Sequence, residues 1–131
     1  MSWRRLTAEN TATIRTAAYG AVSLMSVAST SPHQAATVGA QALTSAIGFT
    51  GHVLQAKTRD VKLKGKTAAA LADQVLPALT EAVALLNAQD PAEADNFRAV
   101  IAVAIDAAAT TQGHAGPVAA DMARKITAAI A

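Results

Sequence analysis

Residues 67–113 read TAAALADQVLPALTEAVALLNAQDPAEADNFRAVIAVAIDAAATTQG, and this stretch decides the fold class. Leu71, Val75, Leu79, Ala82, Val83 and Leu86 recur at three- and four-residue steps, the spacing of one face of an α-helix. Thr67 stands where an N-cap side chain accepts a bond from an early helical N–H. Pro77 falls inside the pattern. Lacking an N–H, it removes the bond to the Asp73 carbonyl, which predicts a kink. Asp90-Pro91-Ala92-Glu93 is a second start signal, with an acidic N-cap, proline at the first helical position and glutamate at the third. Phe97, Ile101, Ala104, Ile105 and Ala108 line the helix that follows, and Gly113 is expected to end it.

The same signals extend in both directions. Thr7 is expected to cap a first helix, with Glu9 favourable in its first turn. Ile14, Ala18, Ala21, Met25 and Ala28 give that helix one apolar face. Ser31-Pro32-His33-Gln34 combines an N-cap serine, proline at the first position and a capping-box glutamine, so a second helix starts at Pro32. Its face is Ala35, Val38, Ala42, Ala46, Phe49 and Val53, with Leu43, Ile47 and Leu54 beside it. Lys57 and Arg59 stand where a helix C-terminus prefers cations. The segment TRDVKLKGK, residues 58–66, alternates Val61 and Leu63 with lysines and reads as a loop, since one isolated strand builds no sheet. Gly116-Pro117 opens a last helix with Val118, Met122, Ile126 and Ile130 at four-residue steps. The expectation is an all-α fold: a single domain over residues 1–131, a compact bundle of about five helices with a basic loop between helices two and three. Gly20, Gly39, Gly48 and Gly51 suggest close packing of the first two helices.

Composition narrows the chemistry. A chain of 131 residues suits one domain. It has no cysteine, which excludes disulfides, thiolate metal sites and a cysteine nucleophile. Alanine supplies 35 of the residues, so much of the apolar content is small side chains. Four aromatics, Trp3, Tyr19, Phe49 and Phe97, are few for a base-stacking surface. Charge is uneven. Residues 1–66 hold eight cations against two acids, a net +6, and residues 67–131 hold three cations against seven acids, a net −4. Such asymmetry marks either a contact surface for an anionic partner or two halves that attract each other, within one fold or head to tail between copies.

Between Thr16 and Ala56 there is no Asp, Glu, Lys or Arg. The run Ala17–Ala28 is short of the ~20 apolar residues that span a bilayer. The run Ala35–Leu54 carries Gln41, Thr44, Ser45, Thr50 and His52 and reads as a buried helix, so no membrane span is expected. Arg4, Arg5 and Arg15 ahead of an apolar run, with Ser26-Val27-Ala28 behind, have some look of a signal peptide. Glu9 and the amphipathic spacing from Thr7 to Ala28 favour a cytoplasmic helix instead.

No motif assigns a reaction. His33, His52 and His114 lie far apart, without His-x-x-x-His, Glu-x-x-His or an EF-hand loop, so no metal and no cofactor is expected. There is no Gly-x-Ser-x-Gly, Walker or Gly-x-Gly-x-x-Gly motif, and no catalytic residue is named. Asp106 and His52 are ionisable groups in apolar runs. With Tyr19 they form a candidate pocket, against the plainer readings that Asp106 faces solvent and that His52 is a hydrogen-bonded structural or partly exposed histidine. Lys57, Arg59, Lys62, Lys64 and Lys66 are the candidate contact for an anionic partner, nucleic acid or an acidic surface, weighed against a solvated loop. Asp95 with Arg98 and Asp121 with Lys125 have the spacing of helix-surface ion pairs. The alanine-rich helical start is similar to that of TerB-like bacterial helical proteins. Where that family has an acidic motif between its first helices, this chain has Ser29-Thr30-Ser31-Pro32, so no function or residue is carried over. The function expected is non-enzymatic: self-association as a homo-oligomer, or binding of a protein partner, through residues 16–56. The alternatives are an anionic partner at residues 57–66 and a small-ligand-binding bundle.

Overall fold

A computed structural model describes residues 7–29, 31–55, 67–110 and 116–131. Six helices pack together: α1 (Ala8–Ala28), α2 (Pro32–Thr44), α3 (Gly48–Gln55), α4 (Ala68–Gln89), α5 (Pro91–Ala109) and α6 (Pro117–Ala129). There is no strand among the described residues. The all-α bundle expected from the sequence is what is found.

Helix starts follow the local chemistry. The Thr7 and Thr67 hydroxyls accept from the Asn10 and Ala70 N–H groups at 3.0 and 3.1 Å. The Asp90 carboxylate accepts from the Ala92 N–H at 3.0 Å. Ser31 holds the N-cap position of α2, but its side chain makes no capping bond. Pro77 lies inside α4, which runs through it.

The expected second helix is two. Ser45, Ala46 and Ile47 separate α2 from α3, and the Thr44 and Ser45 hydroxyls bend back to the Gln41 carbonyl. Gly48 has φ of 74°, a left-handed conformation that a side chain disfavours. The apolar spacing runs across this corner without a gap, which is why the pattern reads as one helix. Two face assignments are overturned, one at this corner and one on α6. Ile47 is 78% exposed, and Val118, at the start of α6, is 65% exposed while Ala119 is buried. The Phe49 side chain, residues 58–66 and Gly113 fall outside the described residues.

Helix α1 is the axis of the bundle and packs against each of the other five. Ile14, Ala17, Ala18, Gly20, Ala21, Val22, Leu24 and Met25 are all buried, on several sides of the helix. A helix enclosed on most sides has little room for charge, and this accounts for the charge-free sequence there. The charge-free sequence of α2 has another cause. Its outer residues His33, Gln34, Thr37, Gln41 and Thr44 are exposed, so that face is polar without being charged. The remaining core faces are as expected, with Leu71, Val75, Leu79, Ala82, Val83 and Leu86 buried on α4 and Phe97, Ile101, Ala104, Ile105 and Ala108 on α5. Helix α4 is long and apolar enough to cross a membrane by length and composition. In the bundle it turns those six side chains to the core.

Alanine and glycine set the helix spacing. A Cβ on Gly20 would meet Val75 Cγ2 at 2.6 Å, and one on Gly39 would meet Val22 Cγ1 at 2.8 Å. Gly20 therefore brings α1 onto α4, and Gly39 brings α2 onto α1. The expected closeness of the first two helices is carried by Gly39 alone of these two. Gly20→Ala should lower stability by about 1–3 kcal/mol in urea denaturation, the usual range for overpacking. Gly116→Ala, with nothing within 4 Å of an added Cβ, should stay within about 0.5 kcal/mol of the parent.

Candidate functional site

The site begins with an unusual helix start. The Gly51 N–H bonds to the Ile47 carbonyl at 3.1 Å, so Ile47 stands where an N-cap residue stands for α3. Isoleucine is among the poorest residues there because it offers no acceptor. Glu93, on the facing helix α5, supplies one. Its Oε1 accepts from the Thr50 N–H at 3.0 Å and from the Thr50 hydroxyl at 3.0 Å. Thr50 is fully buried. A carboxylate here also faces the positive end of the helix dipole. The sequence reading gave Glu93 a local capping-box role in α5, and the side chain instead serves α3.

The other end of α3 is held from α1. Arg15 is buried, and its guanidinium donates to the Val53 carbonyl at 3.3 Å. One turn on, the Tyr19 hydroxyl donates to the Leu54 carbonyl at 2.9 Å. Cation and hydroxyl thus both donate to carbonyls in the last described turn of α3, where a positive charge is favourable. Burial pushes the Tyr19 hydroxyl above its ordinary pKa of 10.0, and the Arg15 charge draws it partly back.

Asn96 completes the corner by donating to the Ile47 carbonyl at 2.9 Å. Ile47 is therefore fixed in place with its side chain in solvent. Beside it lies a groove of about 320 Å³, walled by Ala42, Ala46 and Ile47 on one side and Ala99, Val100 and Val103 of α5 on the other, with Ser45 and Asn96 as its polar members. Val103 is 60% exposed. A second groove of about 350 Å³ lies between α5 and α6, lined by Ala102, Ile105, Asp106, Ala109, Thr110, Ala120, Ala123 and Thr127. Both threonine hydroxyls donate to carbonyls of their own helices, leaving Asp106 as the charged member of that lining.

The candidate pocket residues fall in different places. Tyr19 is engaged at the α3 C-terminus, His52 is exposed on α3, and Asp106 is exposed in the α5–α6 groove. Neither groove takes in Tyr19 or His52. Lys57, Arg59, Lys62, Lys64, Lys66 and His114 lie outside the described residues. Among the described residues no group of His, Asp and Glu is placed to hold a metal ion. The expected ion pairs are present, Arg98–Asp95 at 2.8 Å and Lys125–Asp121 at 3.2 Å. Arg124 joins the latter at 3.2 Å, and the two cations draw the Asp121 carboxyl below its ordinary value. Arg98 does more than the spacing implied, since its Nε also donates to the Ile130 carbonyl at 2.6 Å at the end of α6.

Sequence reasoning did not find the Glu93–Thr50 and Arg15–Val53 contacts, which span 43 and 38 residues. One signal was available: Arg15 is a lone cation in a helix whose other inward residues are apolar or small. The comparisons with known proteins add no relative: no protein-family model, no curated protein and no solved structure matches this chain.

Two outcomes test the clamp on α3. Glu93→Ala should lower stability by about 1–3 kcal/mol, the cost of leaving buried donors unsatisfied, and Glu93→Gln should recover part of it. A folded-state pKa raised above the unfolded value means that the Tyr19 contribution is complete below pH ~10 and lost as pH rises through the higher folded value. Alkaline denaturation of Tyr19→Phe should lack that increment. Tyr19 is the single tyrosine, so its own absorbance change should follow the same titration.

Proposed function

We propose that this chain is a non-enzymatic binding module that works by associating with protein, through the apolar groove between the α2–α3 corner and α5. One observation carries this reading: Ile47 occupies the capping place of α3, where its side chain offers no acceptor, and holds that side chain 78% exposed at the groove edge. An exposed aliphatic residue alone needs no explanation. This one faces a second exposed aliphatic residue, Val103, across a groove, and Asn96 and Glu93 hold the corner that presents it. The groove includes Ala42, Ser45, Ala46 and Ile47, which belong to the 16–56 stretch read from sequence as an association surface.

Binding of an uncharged environment-sensitive dye such as Nile red to the full chain tests this reading. Dye fluorescence should rise with the parent protein and fall when Ile47→Ser and Val103→Ser are introduced, with the helical circular dichroism signal unchanged. Light scattering over a concentration series shows whether a second copy competes for the surface. An unchanged dye response in both variants would remove the groove as the working surface.

A further inference from the structure

We infer that the Ser45–Ile47 corner is a two-state hinge. Opened into one continuous α2–α3 helix, it hands the α1–α2 pair to a second copy of this chain, and two copies exchange these elements to form a dimer. This goes beyond the groove reading and does not depend on it. Helical bonding runs up to the corner and resumes inside it. The Ser45 N–H bonds to the Gln41 carbonyl at 3.1 Å and the Gly51 N–H to the Ile47 carbonyl at 3.1 Å, both with the four-residue step of an α-helix. The apolar residues keep three- and four-residue steps from Ala35 to Val53, and no proline falls within residues 33–55.

The two states compete for one donor. In an uninterrupted helix the Thr50 N–H would bond to the Ala46 carbonyl, four residues back. In the bent chain Glu93 Oε1 takes it at 3.0 Å. Two glycines serve the bend and would serve nothing in a straight helix. Gly48 has the left-handed φ of 74°, and a Cβ on Gly51 would strike the Ala46 carbonyl, 2.6 Å from its carbon. That neighbour is backbone, which cannot turn aside as a side chain can. A straight helix favours alanine at both places. The straight form also needs a partner. Helix α1 packs against α3, α4, α5 and α6, and α2 against α5, so opening the hinge draws α1 and α2 off the helices that cover them. Ile14, Leu24, Met25 and Leu43, all fully buried, would then enter water. A second copy in the same state presents the matching surfaces, and these contacts re-form between chains with the same residues.

The test uses the full chain, unfolded in urea, refolded at high concentration and read by size-exclusion with light scattering. The parent should give a monomer and a dimer that interconvert slowly, because exchange has to unpack α1 from the core. Gly48→Ala combined with Gly51→Ala should raise the dimer-to-monomer ratio about tenfold or more with the helical circular dichroism retained. Glu93→Ala should raise it as well, since the Thr50 N–H is then left to the Ala46 carbonyl. Glycines and an acid with a structural role alone would lower stability without changing the mass. In dimer refolded from a mixture of isotope-labelled and unlabelled chains, filtered NMR contacts between Gly20 and Val75 should run between chains. Folded monomer alone in the parent and both variants would overturn the inference. So would a dimer whose interchain contacts join Ile47 to Val103, which is docking at the groove without exchange. If the double variant does not fold, the parent and Glu93→Ala decide: an exchanged dimer supports the inference and monomer alone overturns it.

Discussion

The structure depends on one short helix being held at both ends by its neighbours. Alone, eight residues do not make a stable helix in water, because nucleation is costly and few bonds follow it. Helix α3 exists because Glu93 of α5 takes its leading N–H group while Arg15 and Tyr19 of α1 take its trailing carbonyls. Each charge has the sense that the helix dipole favours. This clamp also ties α1 to α5 through α3. Glu93, with Asn96, also holds the Ser45–Ile47 corner, which forms one wall of the groove and presents the exposed Ile47.

The same device closes the far end of the molecule. The last carbonyls of α6 are reached by the Thr80 hydroxyl from α4, which donates to Ala129 at 2.8 Å, and by Arg98 from α5. Helix ends whose own cap residues are poor are thus completed by side chains from packed neighbours. A bundle built largely of alanine has thin interfaces with little dispersion energy per contact. Directional bonds at helix ends add to the register between helices, as where Arg15 and Arg98 donate to carbonyls of neighbouring helices.

What could be read from the sequence was what depends on near neighbours. The caps at Thr7, Thr67 and Asp90 and the faces of α4 and α5 are matters of three- and four-residue spacing, and they stand. The break at Ser45–Ile47 escaped because apolar spacing continues across it, and only the left-handed Gly48 marks the turn. Glu93 was misassigned because a sound local role for it existed three residues after Asp90, and nothing local could show that Thr50 lies opposite. Asp106 was legible as an ionisable residue in an apolar run and as an exposed one, but not as the charged edge of a groove, since that groove is completed by α6.

Ile47 and Asp106 each depart from a local rule of helix ends. Ile47 occupies a capping place without capping, and Asp106 places a carboxylate at the wrong end of its helix. Conventional residues were available at both positions, an asparagine or serine at the first and a lysine at the second, and each would add stability. Proteins retain such departures where a surface has another task. These two departures line adjoining grooves on either side of one exposed crest of α5, rather than unrelated faces.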